Sequence, residues 1–141
     1  MSDTVTYGSV NVGDEIPPLI KGPIDRVQLA LFAGASGDHN SIHLDEEQAK
    51  AGGLPGVIAH GMLGMGFLGQ LLTDWVPNSA IRGLNARFTS MAFPGDVITC
   101  TGTITDKKVI DGENIVELEI SAANEKGDKT HVGTASVVLP D

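Results

Sequence analysis

Apolar and polar positions along the chain follow two periods, and the change falls near residue 80. From Pro23 the run PIDRVQLALFAGASG sets Ile24, Val27, Leu31 and Ala35 near helical spacing, with Asp25 in the first turn and Gly37 at the stop. Asp45 reads as the N-cap of a short helix, DEEQAKAGG, ended by Gly52 and Gly53. Residues 60–74, HGMLGMGFLGQLLTD, are apolar on nearly every face, the pattern of a buried helix. Such a helix would be about 22 Å long, with Pro77 closing it. Beyond it, residues 81–91, 97–106, 114–123 and 130–139 are rich in Val, Ile and Thr and partly alternate, as strands do. Pro94-Gly95-Asp96, Asp111-Gly112 and Lys126-Gly127-Asp128 are the turns between them. Ahead of the helices, residues 4–10 alternate weakly as a short edge strand, and NVGDEIPP is turn-rich. The order of strand, helices, one buried helix and antiparallel meander predicts an α+β fold. A single domain over residues 1–141 would wrap an antiparallel sheet around the long helix. Gly61, Gly64, Gly66 and Gly69 lie in that helix. Each costs roughly 1 kcal/mol relative to Ala, so close approach of the sheet is the expected compensation.

Composition narrows the class. Aromatic residues are 4% of the chain, so the core is aliphatic. Nine basic against eighteen acidic residues give a net charge of −9, and nucleic acid is not expected as a partner. Cys100 is the one cysteine, in VITCTGT with no histidine nearby in sequence, and reads as structural. Residues 51–73 form an uncharged stretch of 23 residues, but Pro55, His60, Gln70 and seven glycines argue for burial in protein and not in lipid. The N-terminus lacks a signal-peptide pattern. A cytoplasmic protein without a membrane partner is the expectation.

The polar chemistry gathers in SGDHNSIHLD, residues 36–45. An aspartate and a histidine set together, as Asp38 and His43 could be, can hold one water and move its protons. The alternative is an Asx-turn at Asp38 with a surface His43, since Asp, Asn and Ser are ordinary turn residues. Seventeen residues on, His60-Gly61-Met62 meets the start of the buried helix. The first N–H groups of a helix lack internal partners and carry partial positive charge. With no side chain to shield it, the Gly61 N–H could face a developing oxyanion. His60 itself has a simpler use as the helix cap. His39 and His43 have a metal-like spacing but no evident third ligand, so no metal is expected. Gly64-Met65-Gly66-Phe67-Leu68-Gly69 spells a dinucleotide fingerprint, yet it lies inside the predicted helix with no strand before it.

Ser36 to Asp45, followed by Ile58-Ala59-His60-Gly61-Met62, resembles the MaoC-like dehydratases and (R)-specific enoyl-CoA hydratases. Ala86-Arg87-Phe88-Thr89 and Phe93-Pro94-Gly95-Asp96 resemble the same family, so the likeness runs over nearly the whole chain. It implies a hot-dog fold and reversible addition of water to a trans-2-enoyl thioester, giving the (3R)-hydroxyacyl thioester. It further implies Asp38 and His43 as the catalytic pair and the Gly61 N–H as oxyanion donor. Asn40 would hold the loop and touch water or substrate, and Ser41, Met62 and Arg87 would be further substrate contacts. Ser41 is a departure, because the family usually has Pro there. No cofactor is implied. The carrier is CoA or an acyl-carrier protein. The charge of −9 works against an acidic carrier protein, although Arg82, Arg87, Lys107 and Lys108 offer a local basic patch. A homodimer is expected, with the catalytic subunit of a heterodimer as the alternative. A hot-dog thioesterase would need a carboxylate on the central helix, and residues 60–73 hold none.

Overall fold

In the computed structural model, residues 4–141 are described; the first three residues of the expected domain lie outside the described residues. Five strands form one antiparallel sheet: β1 (Leu19–Lys21), β2 (Ile81–Phe88), β3 (Ile98–Ile110), β4 (Glu113–Ala123) and β5 (Lys129–Val138). The helices are α1 (Arg26–Ser36), α2 (Glu46–Ala51) and α3 (Gly61–Thr73). The sheet order is β1-β3-β4-β5-β2.

Alternation drives the sheet. Ile98, Cys100, Ile104, Val116, Leu118, Ile120, Ala122, Ala135 and Val137 all turn inward and are buried. They close over Leu63, Phe67, Leu68, Leu71 and Leu72 of α3, which form one cluster with them. The sheet wrapped around a central helix is the α+β hot-dog architecture expected from sequence.

Several local expectations are corrected. Only β3, β4 and β5 form a meander; β2 crosses to the far edge and pairs with β5, for example Leu84 with Ala135. The β2–β3 link of residues 89–97 is too long for a tight hairpin and carries the Pro94-Gly95 turn across the fold. Residues 4–10 form no strand. Tyr7–Ser9 is a 3-10 turn, because the Ser9 hydroxyl and the Thr6 backbone bond each other in both directions. The three-residue β1, opposite Cys100 and Thr99, was hidden behind the turn-rich segment before it. Asp25 is the N-cap of α1 and not part of its first turn, accepting from the Gln28 N–H at 2.7 Å. Asp45 caps α2 as expected.

The central helix is not covered on every side. Met62 is 58% exposed, and Met62, Met65, Gly66 and Gly69 line an open groove with Phe32, Ser36, Asp38 and Leu84. Close approach of the sheet explains two of the four helical glycines. A Cβ on Gly61 would lie 2.5 Å from the Phe88 ring, and one on Gly64 would collide with the His131 ring. Gly66 faces open space and Gly69 meets only Leu84 at 3.9 Å, so close packing does not account for them. The fingerprint-like glycines lie within α3, as foreseen.

Candidate active site

The loop of residues 37–45 is built from short side-chain bonds to its own backbone. Asp38 Oδ1 accepts from the Asn40 N–H at 3.3 Å, and Asn40 Oδ1 accepts from the Ile42 N–H at 3.2 Å. Asn40 thereby caps a 3-10 turn, Ser41–His43. The Asx-turn at Asp38 forms and leaves its second carboxylate oxygen free of the turn. One carboxylate oxygen shapes the loop, while Oδ2 stands 3.7 Å from His43 Nε2. The Ser41 hydroxyl adds nothing to the turn; its carbonyl does, accepting from Leu44 and Asp45.

His43 is buried by the segment leading into α3. The Ile58 N–H donates to the Ile42 carbonyl at 3.1 Å, and His43 Nδ1 lies 2.7 Å from the Ile58 carbonyl. A carbonyl only accepts, so Nδ1 carries a proton, and in the neutral ring Nε2 turns its lone pair toward Asp38. Asp38 remains half exposed while His43 is nearly covered. With the ring neutral, the pair presents two proton acceptors side by side with access from solvent. His39 is exposed.

His60 departs from the expected helix cap. It occupies the N-cap position of α3 but makes no capping bond. Its Nε2 donates to the Asp38 carbonyl at 3.1 Å, its ring stacks on His43 with centroids 3.8 Å apart, and Phe32 packs edge-on against it. Its Nδ1 is buried without a partner among the described residues. The adjacent Gly61 opens α3, where an N–H has no intrahelical acceptor. His43, His60 and Gly61 share a cavity of about 180 Å³ whose other walls include Leu63, Phe67, Phe88 and His131. Of the residues named from sequence, His43 and Gly61 line this cavity; Asp38 lies on the open groove beside it and meets His43 at 3.7 Å, and Asn40 joins only through the loop's backbone bonds. Ligand atoms of Asp38, His43 and His60 lie within 4.8 Å of one another, and each ring has one nitrogen committed to a carbonyl and the other left over.

Two further candidates stand apart from the cavity. Met62 faces the open groove with Asp38. Arg87 points to the opposite face of the sheet, into a broad polar depression with Thr89, Thr101 and Lys129. The basic patch does not assemble: Arg82 pairs with Glu113, Lys108 with Glu117, and Lys107 donates to the Val10 carbonyl over the Tyr7 ring. Sequence reasoning passed over His131, which is buried with Nε2 2.7 Å from the Gly61 carbonyl. The glycine at position 64 was its one trace in the sequence. Cys100 is structural, fully buried, with burial pushing its thiol up to about 11.

A sheet curled around one helix, with an Asp–His pair near that helix's N-terminus, defines a domain of the hot-dog class. Residues 9–126 match the MaoC like domain, and the chain belongs to that family. It is 34% identical over 84 residues to the (R)-specific enoyl-CoA hydratase of Rhodospirillum rubrum, covering 58% of each chain. The R-hydratase PhaJ1 from Pseudomonas aeruginosa superposes with a TM-score of 0.86 at 26% identity, over 98% of this chain and 87% of that one. The (R)-hydratase from A. caviae involved in PHA biosynthesis gives 0.82 at 28% identity, over 94% and 98%. Other curated relatives are much longer, and the chain spans 26% of one and 6% of two more. No helix among the described residues is long and apolar enough to cross a membrane.

Proposed function

We propose that the chain catalyses the reversible hydration of a trans-2-enoyl thioester to the (3R)-hydroxyacyl thioester. One observation carries the reading. With Nδ1–H fixed on the Ile58 carbonyl, His43 aims a lone pair from Nε2 at a space it shares, across 3.7 Å, with Asp38 Oδ2. A water there donates one hydrogen to each and keeps its own lone pairs for C3 of the substrate. The thioester carbonyl accepts from the Gly61 N–H, aided by the positive end of α3, which draws electrons from C3. As oxygen bonds to C3, the C2–C3 π electrons move toward the carbonyl and His43 takes the water proton. The enolate collapses as that proton passes to C2. Asp38 holds the remaining O–H and stabilises the transient imidazolium. Every atom of the water ends in the product, and dehydration is the same path reversed.

The family resemblance supports CoA as the carrier, and so does the net charge of −9, which disfavours an acidic protein carrier. A homodimer is the working assembly in this reading; a lone chain that is inactive until a second, different chain is added would replace it with a heterodimer. Ser41, Met62 and Arg87 remain further candidate substrate contacts, with Met62 the nearest to Asp38 around the groove. The test is hydration of crotonyl-CoA, followed by loss of enoyl absorbance, with Asp38→Asn and His43→Gln beside the wild type. Removing a positioned acid–base group costs about 10²- to 10⁴-fold. Folded variants that keep wild-type rates would sink the mechanism.

A further inference from the structure

The His131 ring lies between the sheet and the first turn of α3, and every polar atom on it is spoken for. Nε2 is 2.7 Å from the Gly61 carbonyl, and Nδ1 is 2.8 Å from the Thr130 hydroxyl. Because the carbonyl can only accept, Nε2 carries the proton, and a neutral ring must then accept at Nδ1 from the Thr130 hydroxyl. That hydroxyl has a second acceptor in reach, the Ala122 carbonyl, at a longer 3.3 Å. The arrangement therefore selects one tautomer and aims it at one peptide. Phe88 packs edge-on to the ring with centroids 4.9 Å apart, and Phe88 is also the side chain that forbids a Cβ on Gly61. Gly64, one turn along, leaves the space the ring fills.

We propose that His131 is a positioning residue for the reaction centre: from β5 it grips the Gly61 carbonyl and holds the opening peptides of α3 at the angle from which the Gly61 N–H meets a thioester carbonyl. This rests on the reading of Gly61 as the oxyanion donor. A helix terminus has few internal bonds and frays easily, so an external bond there restricts the donor more than one in mid-helix would. The bond also polarises the Gly61–Met62 peptide, strengthening the partial positive charge at the helix start. His131 lines the same cavity as His43, His60 and Gly61. Burial holds the ring below its ordinary histidine range, which keeps it neutral and in the donating tautomer near neutral pH. Its place is thus through Gly61, not on the reacting atoms.

The experiment compares His131→Leu, which removes the donor, with His131→Gln, whose amide N–H can reach the same carbonyl. Both are assayed on crotonyl-CoA beside the wild type and the His43→Gln variant. The expected result for His131→Leu is a loss of about 10- to 100-fold in kcat, the scale of a displaced catalytic group, with KM little changed. His131→Gln recovers most of the loss. A purely structural role would move stability without this kcat-against-KM split or the rescue. Equal kcat for His131→Leu and wild type, with His43→Gln still impaired, overturns the proposal and leaves the hydratase reading standing. A wild type that matches His43→Gln removes both. Imidazole ¹⁵N spectra of the wild type give a second reading should His131→Leu fail to fold. A protonated Nε2 beside an acceptor Nδ1 at neutral pH is expected, and the opposite tautomer or an imidazolium overturns it.

Discussion

The ring of His60 stacks on that of His43 with centroids 3.8 Å apart, while its Nε2 donates to the Asp38 carbonyl at 3.1 Å. One residue on the threshold of α3 thus touches both members of the loop pair, twenty-two positions upstream for Asp38. The cost is visible: Nδ1 is buried with no partner among the described residues.

His60→Phe separates these roles. It keeps a flat ring against His43, loses the donor to Asp38, and removes the orphaned nitrogen. A lost net hydrogen bond costs about 0.5–1.5 kcal/mol, and relieving an unpaired buried polar atom returns about 1–3 kcal/mol. The melting temperature is therefore expected to hold or rise. Activity is expected to fall about tenfold, because Asp38 loses its tether and small misplacements in an active site are costly. A variant that loses stability and activity in parallel would show His60 to be packing alone.

Ser41 is the position at which this chain departs from the usual Pro, and the backbone there is already suited to proline. Asn40 sits at φ −57°, ψ 129°, the extended conformation that proline imposes on the residue before it. Ser41 opens the 3-10 turn, and its N–H donates to no group among the described residues. Ser41→Pro is expected to raise stability by about 0.4–1 kcal/mol by restricting the unfolded chain, with hydratase activity retained. Thermal melts and steady-state rates check it. A drop in stability would mean that the Ser41 φ lies outside the proline range.

What was legible in the sequence was whatever has a short period or a strong local cap. Asp25, Asp45 and Gly37 marked helix ends, and the alternation of Ile98, Cys100 and Ile104 marked a half-buried strand. The candidate residues Asp38, Asn40, His43 and Gly61 could be named because two short segments on either side of α2 resemble a family's motifs. Pairings at long range were not legible. Nothing local says that β2 joins β5 and not β3, since the alternation that turns Leu84 and Ala86 to the core names no partner strand. Helix α3 read as buried all round because Met62, Met65 and Gly66 are apolar or small, and the sequence pattern cannot tell a covered face from an open groove. His131 was missed for the same reason: it lies seventy residues from the carbonyl it binds.

That long-range contact has a consequence for stability against pH. Burial lowers the affinity of His131 for a second proton, opposed only in part by its bond to the Gly61 carbonyl. In the unfolded chain the ring titrates near about 6.5. Between that value and the lower one in the folded state, the unfolded chain carries a proton that the folded chain lacks, so stability rises with pH across this window. The contribution is complete above about pH 6.5 and is lost as pH falls toward the folded value. The other titratable groups on the same cavity are His43 and His60, and the remaining neighbours of the ring, Phe88, Gly64 and Thr130, do not titrate in this range. His131→Gln removes the proton uptake and keeps a donor toward Gly61. Denaturant unfolding between about pH 7 and about pH 5 is therefore expected to show a steeper loss for wild type than for His131→Gln, by up to about 1.4 kcal/mol per pH unit for one proton. Parallel curves would mean that the folded protein protonates His131 as readily as the unfolded chain does, with the Thr130 hydroxyl turned to the Ala122 carbonyl and accepting from Nδ1.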